Sequence, residues 1–185
     1  MTGWSFTGIV GVPGVGYQQS AQVTGKIYSS DAASDPTTVA GAIGDMLIAY
    51  NLGAGYASDA TNPGTGGDMG GLTLTRGVYA FSGGNINATI ATALTLCGSS
   101  TDVFIFQIPG TFDVSSSIIL TGGVLPSNVF WIVEGTSGAT IEAGANFQGI
   151  LLSGFAINCK AGATITGGLY AQSDMSLISD TVTQN

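Results

Sequence analysis

Histidine is absent from the 185 residues, and lysine and arginine together number only 3. Without imidazole there is no Ser-His-Asp triad, no ordinary general base near neutrality and no usual zinc ligand. Lys26, Arg76 and Lys160 cannot neutralise a run of phosphates or hold an anionic bilayer surface, which excludes nucleic acid and membrane as partners. Charged residues are scarce altogether, 8% of the chain, although 11 acidic side chains leave a net charge of −8. The 2 cysteines, Cys97 and Cys159, are too few for a thiolate metal site. They could pair, stay free or be reactive, and a buried free thiol suits a β-rich core best. No apolar run approaches the ~18 residues that cross a bilayer. The opening MTGWSFTGIVGVPGVG has neither the cationic nor the apolar region of a signal peptide, so a leader was either removed upstream or never present.

What the chain has instead is 44% apolar residues and 30 glycines. That apolar content is too high for disorder and enough for one domain over residues 1–185. One stretch reads as a helix, about 36–51: Val39, Ile43, Met46, Leu47 and Tyr50 repeat at helical spacing. Asp35 stands ready as N-cap, Pro36 as first helical residue, and Gly53 and Gly55 as the stop. After a polar glycine-rich loop the period changes to two. LTLTRGVYAF, ATALTL, DVFIFQI, SSIILTGG, NVFWIVEG and their successors are short strands punctuated by glycine, which points to a sandwich, a barrel or a solenoid.

Self-similarity selects the solenoid. Thr164-Ile165-Thr166 returns as Thr181-Val182-Thr183, and Asn146-Phe147-Gln148 precedes it at nearly the same interval and in the same phase. A looser pattern recurs at Thr2–Phe6, Thr24–Tyr28, Thr75–Tyr79 and Thr166–Tyr170. A short period of this kind, with three strands per turn, suits a triangular β-helix. Alternation then turns Phe147, Ile165, Val182, Leu74, Val23 and Ile27 inward. The outward partners are Thr2, Gln22, Thr24, Thr73, Thr75, Asn146, Gln148, Thr164, Thr166, Thr181 and Thr183. Threonine has high β propensity and ladders of it stabilise any exposed strand, so the face also has an ordinary reading. Ordinary exposed faces, however, carry Lys, Glu and Arg. A flat uncharged one suits a flat, periodic, uncharged partner such as ice, crystalline polysaccharide or a second copy.

Taken together, GGLTLTRGVYAF, DVFIFQIPGTF, SNVFWIVEG, FQGILLS, AGATITGGLYAQ and SLISDTVT resemble the ice-binding proteins of the discontinuous β-solenoid fold. GDMLIAYNLGAG is similar to that family's long helix and QVTGKIYSSDAA to the segment leading into it. The resemblance implies a mainly β, right-handed triangular β-helix with coils out of chain order and one helix along a face. It further implies a secreted antifreeze protein that adsorbs to ice through the outward set above, giving thermal hysteresis and recrystallisation inhibition. No enzyme activity, cofactor or metal is implied, and the protein is expected to be a monomer. Family members begin earlier in their own sequences, so MTGWSF matches the middle of their N-terminal region.

Other features weigh less. Asn87-Ala88-Thr89 is an N-glycosylation sequon. Asp31, Asp35, Asp45, Asp59 and Asp68 lack calcium-loop spacing and read as caps and solvated loops. GVPGVG contains no lysine and precedes no helix, so it is a loop and not a phosphate cradle. Trp4, Tyr17, Tyr56, Phe130 and Trp131 could form a sugar platform, which is the alternative function: a secreted carbohydrate-binding or adhesion module. A self-assembling structural protein is a third reading.

Overall fold

Alternating aliphatic and hydroxyl side chains make short strands, and glycines at positive φ turn the chain between them. The structure, a computed structural model, describes residues 10–11, 18–20, 23–27, 36–83, 87–178 and 180–183. It divides into two compact units, 1–49 and 50–185, with the boundary inside the helix. The first unit holds an antiparallel sheet of β1 (Val10–Gly11), β2 (Gln18–Ser20) and β3 (Val23–Ile27), and the beginning of α1 (Pro36–Gly55). The helix therefore passes the expected stop at Gly53. Gly53 lies against Ile132, where an added Cβ would stand 2.7 Å from the side-chain tip, so this glycine serves close packing and not termination. Met46 is buried and Ile43, Leu47 and Tyr50 are half-buried, as the helical spacing predicts. Asp35 lies outside the described residues.

The second unit carries β4 (Ala60–Thr61), β5 (Thr73–Leu74), β6 (Gly77–Ala80), β7 (Ala88–Ile90), β8 (Leu94–Cys97), β9 (Phe104–Ile108) and β10 (Phe112–Val114). It continues with β11 (Ile118–Thr121), β12 (Val129–Val133), β13 (Ala139–Ile141), β14 (Asn146–Ser153), β15 (Ile157–Cys159), β16 (Thr164–Ala171), β17 (Met175–Leu177) and β18 (Thr181–Thr183). The pairings between these strands are parallel: β7, β8 and β9 pair with the third strand along the chain (β10, β11 and β12), whereas β13 to β16, where β14 and β16 each span two faces, pair with the second, which is the mark of a solenoid with three faces per turn. There are about six turns. The first face stacks β4, β6, β9 and β12 with the second halves of β14 and β16. The second face stacks β7, β10, β13, β15 and β17. The third stacks β5, β8 and β11 and is continued by the first halves of β14 and β16 and by β18, through a bridge between Ser117 and Asn146.

Coil length explains the irregular spacing of the sequence repeats. The register runs Val78, Ile105, Phe130, Ile150, Gly168, and each step along that series is shorter than the one before. From residue 60 to 183 the turns stack in chain order; what varies is the loop between faces. The same register corrects one repeat. Tyr79 is level with Phe106, Trp131, Leu151 and Leu169, and faces inward, whereas Tyr170 is one place further on and 41% exposed. The Thr75–Tyr79 and Thr166–Tyr170 copies are thus out of phase by a single position.

Inside the three faces lie Phe104, Phe106, Phe112, Trp131 and Phe147, all fully buried, with Ile90, Leu94, Leu96, Ile118, Ile141, Ile157 and Ile165. Trp131 stacks on Phe106 at 4.0 Å between ring centres and on Phe112 at 4.8 Å. Each such side chain contributes roughly 1.5–3 kcal/mol on burial, and the offset stacks add about 0.5–1.5 kcal/mol apiece.

Candidate functional site

The three outer faces differ in what they present. The first is apolar, with Val78, Ile105, Phe130 and Ile150 in one row and the buried Ile132 and Leu152 beside it. The last turn of α1 sits on this face. The Gln107 side-chain amide donates to the carbonyls of Gly53 (2.8 Å), Ala54 (3.3 Å) and Tyr56 (2.8 Å), which gives the acceptors at the helix end a donor they would otherwise lack. Burial, and then the charge of Glu134, raise the pKa of the Tyr50 hydroxyl above its ordinary value.

The second face is built of short strands and carries charge. Its outward row runs Asp68, Thr89, Asp113, Thr140, Asn158, Ser176. Asp113 accepts from the Ser115 hydroxyl at 2.6 Å, and one Asp68 oxygen caps the amides of Gly70 (2.8 Å) and Ala91 (3.2 Å). Cys159 points inward here; burial first, with Asp180 adding, pushes its thiol up to about 12, so it stays an inert protonated packing group. The Asn87 of the sequon is exposed at the entry to β7, its amide oxygen accepting the Thr111 N–H at 2.9 Å.

Among the described residues the third face has no charged outward residue. One row runs Thr73, Thr95, Ile119 and is continued at the level of Gln148, Thr166 and Thr183. A second row runs Ser117, Asn146, Thr164, Thr181. Cys97 pairs in register with Thr121, with Thr75 one place beyond Leu74 on the coil before. Inward between the rows lie Leu94, Ile118, Phe147 and Ile165, each no more than 1% exposed, so the face rests on a filled core. Side-chain contacts tie it laterally: Gln148 donates to the Asn146 amide oxygen at 3.2 Å, and the Thr121 hydroxyl donates to the Leu96 carbonyl at 3.3 Å. At its borders Arg76 pairs with Asp102 (3.6 Å) and Lys160 with Glu142, while Asp180, one place before Thr181, accepts the Ala163 and Ile178 amides. Two Ser99 donors, its backbone amide above all and then its hydroxyl, hold the Asp102 carboxyl below the usual carboxylate range, with a smaller contribution from Arg76.

Of the residues expected on a common outward face, the structure brings Thr73, Thr75, Asn146, Gln148, Thr164, Thr166, Thr181 and Thr183 to this one. Thr24 falls in β3 of the other unit, and Thr2 and Gln22 lie outside the described residues. Ser117, Thr95, Ile119, Cys97 and Thr121 join the face although the sequence reading passed over them. The alternation in ATALTL and SSIILT carried the signal, but the longer coils there take them out of the short period. Cys97 departs from the buried thiol expected of it: it is exposed and free because it occupies an outward position of β8. The sugar platform loses Trp131, which is 0% exposed in the core. Trp4 and Tyr17 lie outside the described residues.

Comparison with known proteins agrees with this architecture. An ice-binding-like family model matches residues 2–183. An ice-binding protein of Flavobacterium frigoris (strain PS1) is 40% identical over 171 residues, covering 88% of this chain and 60% of that protein. One from a Colwellia species is 38% identical, covering 87% of this chain and 65% of the other, so the chain spans about two thirds or less of these relatives' length. The crystal structure of a glycosylated ice-binding protein from an Arctic yeast superposes with a TM-score of 0.88 at 28% identity, over 96% of this chain and 76% of that one. A β-solenoid of parallel three-stranded turns, matched along nearly its whole length, makes this chain a member of the ice-binding-like family.

Proposed function

We propose that the chain binds ice through its third face and so restrains crystal growth, giving thermal hysteresis and recrystallisation inhibition. The observation that carries this is the contrast between the faces. The third is a two-row ladder of Thr, Ser, Asn and Gln, with Ile119 among them and no charge, while the second bears Asp68 and Asp113 and the first receives the end of α1. Rungs of a parallel stack repeat roughly every 4.7–4.9 Å, and outward neighbours along a strand about every 6.6–6.8 Å. Hydroxyls and methyls on such a grid hold water at fixed spacings, and the hydrated face merges with a growing crystal. Each contact is weak. Rigidity from the packed core lowers the ordering cost of making many at once. Molecules held in this way pin the ice front between them.

The same reading makes the chain a single ice-binding domain over residues 1–185 that works as a secreted monomer without catalysis or cofactor. A glycan on Asn87 would leave from the second face, clear of the ladder. Relatives named ice-binding proteins in bacteria and fungi support the assignment. The test is a nanolitre osmometer. Purified protein should open a gap between melting and freezing and facet the crystal, and a folded sample with neither would refute the proposal.

A further inference from the structure

The third face is assembled from two arms, and the corner between first and third face is built differently in each. After β11 the chain takes a loop, 122–128, to reach β12 on the first face. In β14 and β16 the strand passes from one face to the other with no loop, bending at Gly149 (φ +123°) and Gly167 (φ +137°). At the join β14 has a continuous ladder with β16 on one side. On the other it meets β11 only at Asn146 and β12 only from Ile150 onward, among the described residues. Phe147, Gln148 and Gly149 therefore span a gap in the ladder.

Trp131 fills that gap. Its indole N–H donates to the Gln148 carbonyl at 3.0 Å. Gly149 makes the approach possible, since a Cβ there would lie 2.8 Å from the indole nitrogen and 2.7 Å from the Val129 carbonyl. The level positions in the next two coils are Leu151 and Leu169, which have no donor to offer. The indole is itself clamped between Phe106 and Phe112 and cannot follow a shifting strand. From this geometry we infer that Trp131, with no exposure of its own, is a positioning residue for the ice-binding face: its N–H fixes the Gln148 rung and thereby aligns the upper arm with the lower. The inference rests on the proposed ice-binding role of that face.

The test separates the hydrogen bond from the ring. Trp131 is replaced by β-(3-benzothienyl)alanine, which keeps the shape and lacks the N–H, and in parallel by W131F. Val114→Ala, at a buried site of the second face, supplies a comparator of matched loss in melting temperature. Loss of one such bond should speed amide exchange at residues 147–149 and 165–167 about tenfold relative to 139–141 and 157–159. Hysteresis should fall severalfold for the benzothienyl protein and hold for V114A. Uniform exchange across both faces, or full hysteresis in the benzothienyl protein, would overturn the inference. Should the unmodified protein show no hysteresis, the ice-binding reading fails separately, and the exchange pattern alone decides whether Trp131 positions the face.

Discussion

Thr166 stands at the middle of the upper arm, half-buried between Gln148 and Thr183 in register. Thr166→Tyr places a ring where a rung should be flat, while its strand neighbours still pair. The expected result is a severalfold drop in hysteresis with a melting temperature nearly unchanged, because substitutions of outward residues stay within about 0.5 kcal/mol. Thr140→Tyr on the second face should keep full activity; equal loss in both variants would show that the third face has no special role. Gly167 makes the opposite kind of prediction. A Cβ there would come within 1.9 Å of the Gly149 carbonyl oxygen, at a φ that side chains rarely adopt. Gly167→Ala should cost at least ~2 kcal/mol, seen as a fall in melting temperature. In the sequence that glycine was legible only as one position of the Thr166–Tyr170 pattern, since nothing local says that a second glycine one coil away touches it. Trp131 was equally hidden. NVFWIV requires something buried, but the partner of the indole N–H is a full coil further along the chain and becomes visible only in register.

At the level of elements, α1 and the first face depend on Gln107. Gln107→Leu would leave the carbonyls of Gly53, Ala54 and Tyr56 without their donor. The expected cost is about 1–3 kcal/mol, with faster amide exchange in the last helical turn while the strands keep their protection. The helix itself was readable from its helical apolar spacing. Of the two glycines that read as its stop, Gly55 is where it ends, whereas Gly53 lies inside it and serves as a contact. The loop before β9 gives a pH signature. Asp102, accepting from Ser99, titrates below the usual carboxylate range in the folded state. A lowered folded pKa adds stability that is complete above the ordinary carboxylate pKa and disappears as pH falls through the folded value. Asp102→Asn should accordingly flatten the acid side of the stability curve and leave its slope near neutrality alone. Denaturation midpoints followed from neutral to acid pH would show this.

Over the whole molecule, the missing histidine and the charge-free third face lead to one expectation. No side chain has an ordinary pKa between about 5 and 7, so hysteresis should be level across that interval and should not weaken with screening salt once colligative effects are subtracted. A marked salt dependence would mean that a charged face does the binding. The sequence made the solenoid legible where the coils are shortest, and the upper arm of the face with it. The lower arm was obscured because its coils, such as the one from Val78 to Ile105, are longer, with most of the excess in loops that obey no period. Those unequal turns have a consequence for how such a protein changes size. In the turn between β14 and β16 Gly149 lies over Gly167 and Ile150 over Gly168, so each end of the segment 150–167 meets the geometry of the other. A tandem duplication of codons 150–167 would insert a whole extra coil in frame, with every inward and outward position preserved and one more rung on the third face. Enlargement then comes in units of a single genetic event. Duplicating the longer lower coils would instead copy their loops, so the upper end of the stack is where this architecture can grow or shrink most readily.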